Sequence, residues 1–174
     1  MPGAIVGQEA VAILPDDRAL DVFRKVTCAA ERLLDRTLPP LSSTDPPSPC
    51  RRSTSSRPRS AAGNPRMGLI DWTRDAAAVH NLVRAVAPPY PGAFTTLRGR
   101  RVFIHRTVLD GDGPSPRDPL HLHGDGGRCF AVCGDGRTVR LVEAASRDGS
   151  PFDLTALARD IEGTPAASDP FLTR

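Results

Sequence analysis

Apolar residues recur along this chain with two different periods, and the change of period divides it. Leu20, Phe23, Val26, Cys28, Ala30, Leu33, Leu34 and Leu38 follow one another largely at helical steps. That spacing lays one apolar stripe along a helix of about six turns. The helix is expected to begin at Pro15-Asp16-Asp17. Either carboxylate can accept from the first free backbone N–H groups, and both suit the positive end of the helix dipole. Pro39-Pro40 is expected to end it, because neither proline donates and each disfavours helix in the residue before it. Upstream, residues 4–14 read as a strand, or a strand pair broken near Gly7-Gln8-Glu9.

A second stripe, Ala76, Val79, Leu82, Val83 and Val86, follows Thr73 and Asp75, either of which can cap it. Pro88-Pro89 stops it, and Gly92-Ala93-Phe94 leads into a strand. From Gly99 the period falls to two, and segments 100–109, 120–123, 128–133 and 138–143 read as short strands. Between them stand Asp110-Gly111-Asp112-Gly113, Gly124-Asp125-Gly126-Gly127 and Gly134-Asp135-Gly136, which are turn sequences that tolerate positive φ. A helical turn is expected over 152–161. Several short antiparallel strands at regular spacing predict a small barrel or meander, in a chain of α+β class.

Residues 39–67 differ in kind. Pro, Ser and Arg dominate, and Leu41 and Met67 are the only large apolar residues there. Such a segment buries too little surface to offset its ordering entropy, so a disordered linker over 39–69 is expected. Its Arg51-Arg52 and Arg57-Pro58-Arg59 groups could contact RNA or phosphate, but a solvated basic linker is the plainer reading.

Composition narrows the picture. Apolar residues are 39% and aromatics 5%, with 18 prolines and 15 glycines, which predicts much loop and a modest core in two patches. The 174 residues hold one domain, or a small domain with an attached piece. The charge is +3, and Lys25 is the only lysine among 23 basic residues. An arginine bias of this kind follows from GC-rich coding, and so small a surplus does not predict a nucleic-acid partner. Cys28, Cys50, Cys129 and Cys133 match neither zinc-ribbon spacing nor a small disulfide framework. They read as reduced thiols, with Cys129 and Cys133 on one side of a strand. No run has the length of a membrane span, and the N-terminus lacks a signal-peptide pattern, so the expected location is cytoplasmic.

Candidate chemistry is sparse. His121 and His123 share one face of a strand, but no third ligand stands at a suggestive spacing, so no metal site is expected. The Asp110 turn lacks the later acidic ligand of a calcium loop. There is no Gly-x-Ser-x-Gly and no cysteine near a partner histidine. His80 and Asn81 are the most interesting polar pair, with Arg84 one turn beyond.

The run His80-Asn81-Leu82-Val83-Arg84-Ala85-Val86-Ala87-Pro88-Pro89-Tyr90-Pro91-Gly92-Ala93-Phe94, read with Ile70-Asp71-Trp72, resembles the C-terminal half of the 10-formyltetrahydrofolate-dependent formyltransferases. The resemblance includes the methionyl-tRNA and sugar-amine branches. It implies that residues 1–38 correspond to the last strand and helix of a Rossmann-like catalytic domain, and 70–174 to a small β-barrel-like C-terminal domain. It makes Asn81, Arg84, Pro89, Tyr90, Gly92 and Phe94 the family-signature positions, on the substrate side. The family reaction moves a formyl group from 10-formyltetrahydrofolate to a primary amine, on a nucleotide sugar or an aminoacyl-tRNA. It needs an Asn and a His to manage the intermediate and its protons, and an Asp to orient the His. The resemblance places the first two in a segment ahead of the match, and Met1 holds the position of the Asp. It therefore implies a truncated homologue with no catalytic residue of its own, inactive alone and binding no cofactor by itself. The implied partner is a catalytic formyltransferase domain, or a second copy through helix 17–38. The rivals are a barrel module for RNA or a partner protein, with only Phe103 and Phe130 to stack bases, and one half of a split enzyme.

Overall fold

The computed structural model describes residues 5–41, 68–97, 99–109 and 122–162. They fall into two compact units, within Met1–Ala62 and Gly63–Arg174. The Asp110 turn, His121, Cys50 and the Arg51–Arg59 cluster lie outside the described residues.

In the first unit, helix α1 spans Ala19–Leu41. Three expectations change here. Residues 6–14 form no strand; only Ile5 makes an isolated bridge. Side chains fasten this segment along the helix instead. Glu9 pairs with Arg36 at 3.2 Å and Arg32 at 3.8 Å, and Lys25 Nζ donates to Asp17 and to the Ala12 carbonyl. The helix does not start at Asp16-Asp17, because Asp17 accepts from the Leu14 N–H at 2.7 Å and closes a turn. Asp21 takes the capping role from inside the first turn, accepting from the Arg18 N–H at 3.0 Å, one half of a capping box. The helix also runs through Pro39 and Pro40 to Leu41. Proline's fixed φ is itself helical, and close to a C-terminus few hydrogen bonds remain to be broken. Much of the predicted stripe is open: Phe23 is 63% exposed, Leu34 51% and Leu38 56%, while the buried position is Ala29.

The second unit holds α2 (Ala76–Ala85), β1 (Ala93–Leu97), β2 (Arg100–Leu109), β3 (Leu122–Asp125), β4 (Arg128–Val132), β5 (Thr138–Ser146) and α3 (Leu154–Glu162). All described strand pairs are antiparallel, in the order β1-β2-β5-β4-β3. The α+β class holds. The sheet has two edges, β1 and β3, and is open rather than closed into a barrel. Both helices cover one of its faces. Val79 and Val83 of α2 and Leu154 and Leu157 of α3 join Val102, Ile104, Ala131, Val139 and Leu141 in a single cluster. Each such aliphatic side chain, fully buried, contributes about 1.5–3 kcal/mol. The apolar core of the described residues is thus one patch, in this unit.

Local chemistry fixes the ends of these elements. Asp75 caps α2, accepting from the Ala78 N–H at 2.7 Å; Thr73 bonds Asp71 instead. Asp153 caps α3, accepting from Thr155 and Ala156 at 2.9 Å. The turn between β3 and β4 is Gly126-Gly127, with φ of 55° and 73°, the two-residue hairpin that requires positive φ at both positions. Gly124 and Asp125, expected in the turn, are therefore strand residues. Strand β5 also runs three residues past its expected end.

Candidate functional site

The site is built on the end of α2 and the sheet edge beyond it. Two carboxylates hold the start of the helix. Asp75 is its cap, and Asp135, from the β4–β5 turn, accepts from the Ala76 N–H at 3.2 Å. One turn on, His80 faces the sheet, with Nδ1 2.9 Å from the buried Thr107 hydroxyl. Asn81 is rotated away, because successive helix residues point about 100° apart. Its Oδ1 accepts from Arg84 Nε at 2.8 Å on the exposed side. The polar pair of the sequence is thus divided between two directions.

The proline clamp follows as a closed loop. The Val86 N–H donates to Leu82 and ends the helix; Tyr90 donates back to Ala87 at 3.2 Å and Gly92 to Val86 at 2.9 Å. The Pro88–Pro89 peptide is cis. Ala87 is buried beneath the loop, while Pro89 and Tyr90 are exposed on it. Gly92 has φ of 92°, and a Cβ there would stand 3.1 Å from His105 Cδ2. Close approach and positive φ both call for glycine.

Beyond Gly92 the chain enters β1. The Phe94 N–H donates to Gly68 at 2.6 Å and its carbonyl accepts from Ile70 at 2.9 Å, which ties residues 68–70 to the sheet edge. Trp72, buried, donates its indole N–H to Thr95 Oγ1 at 3.0 Å. Phe94 pairs across the strands with Phe103, ring centroids 5.9 Å apart and tilted by 54°. The Arg101 guanidinium lies 4.5 Å above the Phe94 ring.

Of the six signature positions, Gly92 and Phe94 share a face with Phe103, Arg101 and His105. Pro89 and Tyr90 stand at the top of the clamp, and Asn81 and Arg84 form a separate pair on α2. Sequence reasoning missed Arg101 and His105. The first was readable: a tight turn after Leu97 pairs it with Arg100 and sets Thr96 opposite Arg101 beside Phe94. The second was not. Register shifts around Arg106 leave His105 out of the ladder with β5, and such a bulge re-aims the side chain.

The remaining candidates among the described residues do not form a centre. His123 sits opposite Phe130 on neighbouring strands, and the described residues include no group of three or more metal-ligating side chains. Cys129 and Cys133 are both in the core cluster, on one side as expected. Burial pushes each thiol from an ordinary 9.0 up to about 12, and Asp135 and Asp75 add to the effect at Cys133. Neither is a nucleophile near neutral pH. Phe130 is 2% exposed and Phe103 is half-covered, so neither offers a free platform for a base.

The family described as formyl transferase, C-terminal domain, matches residues 64–161. The chain belongs to that family. The match begins beside the boundary between the two units and covers more than half of the 174 residues. Three solved structures of HypX from Aquifex aeolicus share the fold. One multiply substituted variant is 16% identical, with TM-score 0.55 over 86% of this chain and 26% of that one. HypX in complex with tetrahydrofolic acid is 13% identical, with TM-score 0.54 over 92% and 28%. A second variant is 14% identical, with TM-score 0.54 over 93% and 29%. The chain spans little more than a quarter of these relatives. No described helix is long and apolar enough to cross a membrane.

Proposed function

We propose that this formyltransferase-related chain serves formyl transfer from 10-formyltetrahydrofolate to a primary amine, and that it does not perform the transfer alone. The family match over 64–161 carries the first half of this reading. The division of His80 and Asn81 supports the second. Transfer to an amine needs a general base and an oxyanion donor that converge on one carbonyl. Here His80 bonds Thr107 and Asn81 bonds Arg84, on different sides of α2.

The folate carrier is bound elsewhere. On α2, His80 Nδ1 is engaged with Thr107 and Asn81 Oδ1 with Arg84. No step of the reaction is therefore assigned to these side chains. The clamp face of Tyr90, Gly92 and Phe94 acts on the substrate side, and the amine acceptor is a nucleotide amino sugar or methionyl-tRNA. Residues 1–38 belong with a catalytic formyltransferase domain, and the open stripe of Phe23, Leu34 and Leu38 is the surface that receives it. The reduced thiols agree with a cytoplasmic setting.

The test adds the purified chain to lysate of the source cells and follows formyl transfer to both acceptor classes. A rate above that of lysate alone is expected, with loss of the gain in a Phe23→Asp/Leu34→Asp variant. An unchanged rate, or a chain that pairs only with itself through α1, contradicts the reading.

A further inference from the structure

His105 stands on the clamp face, where the formyl-transfer reading gives it no role. We propose that His105 is the proton acceptor for the amine in the completed enzyme, taking a proton from its ammonium form before the nitrogen attacks. The inference rests on the formyl-transfer reading and adds a catalytic residue to it. Three observations carry it.

The first is placement. Register shifts on both sides of Arg106 leave His105 out of the ladder with β5. Its ring stands against the clamp: a Cβ on Gly92 would lie 3.1 Å from its Cδ2, 3.2 Å from its Nε2 and 3.6 Å from Phe103 Cδ1. Glycine at 92 thus gives the Nε2 edge its room beside Phe103. The second is availability. His105 makes no hydrogen bond among the described residues, so neither ring nitrogen is spent, whereas His80 Nδ1 is held by Thr107. The ring is half-covered, so it is both fixed and reachable. The third is the lack of a rival. Arg101, over the Phe94 ring, is a permanent cation and accepts no proton. Glu143, across the bulge, stands opposite Arg106 and already has a partner. Imidazole both takes and returns a proton near neutral pH. A primary amine is largely an ammonium ion there and has no lone pair with which to attack. In the step, one N–H bond of the ammonium breaks and its proton passes to the imidazole, then to water. The freed lone pair forms the C–N bond to the formyl carbon. A second proton goes to the carrier nitrogen as its bond to that carbon breaks, giving the formamide and tetrahydrofolate.

The experiment follows formyl transfer in lysate of the source cells with the purified full chain carrying His105→Gln or His105→Ala, at saturating acceptor. Gln keeps a hydrogen-bonding side chain and lacks the base. Both variants are expected to lose about a hundredfold of the wild-type gain at pH 7, the scale of one general base, with KM for the acceptor near wild type. The loss shrinks as the pH rises toward the pKa of the amine itself. Added imidazole restores His105→Ala, because the space beside Gly92 then fits the free ring. His123→Gln, on β3, leaves the gain unchanged, and thermal midpoints show that each variant is folded. A full rate with His105→Gln, or a loss that neither imidazole nor pH relieves, overturns the proposal while the formyl-transfer reading stands. No gain from the wild-type chain overturns both.

Discussion

Gly124 and Gly134 are fixed by what stands opposite them. A Cβ on Gly124 would lie 2.2 Å from the Ala158 carbonyl oxygen of α3, and one on Gly134 would fall 1.8 Å from that of Thr73. Both neighbours are backbone and cannot rotate aside. Gly124→Ala is therefore expected to cost about 1–3 kcal/mol by overpacking. Gly136→Ala, in open space with φ of 76°, should cost only the backbone strain, about 1–2 kcal/mol. Urea unfolding measures both; a wild-type midpoint for Gly124→Ala contradicts the packing. The buried thiols give a second residue-scale prediction. With folded values near 12 against an ordinary 9.0, Cys129 and Cys133 stay protonated at pH 8 and resist iodoacetamide, while exposed Cys28 reacts. The unfolded chain ionises these thiols first. Stability is thus undiminished below pH 9 and falls as the pH climbs from there toward 12. Peptide mapping after labelling, and unfolding midpoints across that range, check both statements. That Cys129 and Cys133 share a side was readable from their four-residue spacing; the demand for glycine at 124 was not, because Ala158 arrives from thirty-four residues downstream.

At the scale of elements, α2 and β2 were the most legible, and for local reasons. Helix α2 carries its own apolar stripe and its own cap. Asp75→Ala is expected to cost about 1 kcal/mol, visible as a lower thermal midpoint. The Asp135 contact to Ala76 keeps the helix start partly held in that variant. An unchanged midpoint would show that the Ala78 bond carries nothing. Elements were misread where several local signals competed. Three acidic residues lie within six positions at Asp16, Asp17 and Asp21, and the pattern alone does not say which one the backbone takes. Leu14 claims Asp17, so Asp21 serves the helix. Residues 4–14 have strand-like composition, yet a strand needs a ladder partner, and Glu9 and Lys25 fasten the segment by ion pairs instead. The β3 boundary moved because Gly126 and Gly127 alone suffice for the turn.

For the whole molecule, the sequence pattern indicated antiparallel strands but not their neighbours. Alternation tells which face a side chain takes; it does not tell that β5 inserts between β2 and β4, nor that β1 and β3 stand at the two edges, which leaves the sheet open. The clamp face was half visible for the same reason: Phe94 was named, while His105 reached it through a bulge. The family, by contrast, was legible from one contiguous run, His80 to Phe94, whose residues make a helix end, a closed loop and a sheet edge in succession. The central claim is that this chain belongs to formyl transfer without executing it. The direct measurement is release of tetrahydrofolate from 10-formyltetrahydrofolate by the pure chain, offered amino-sugar nucleotides and methionyl-tRNA. No release above the protein-free blank is predicted. Sustained turnover by the pure chain, abolished by His80→Ala or Asn81→Ala, would contradict the account and place the chemistry on α2.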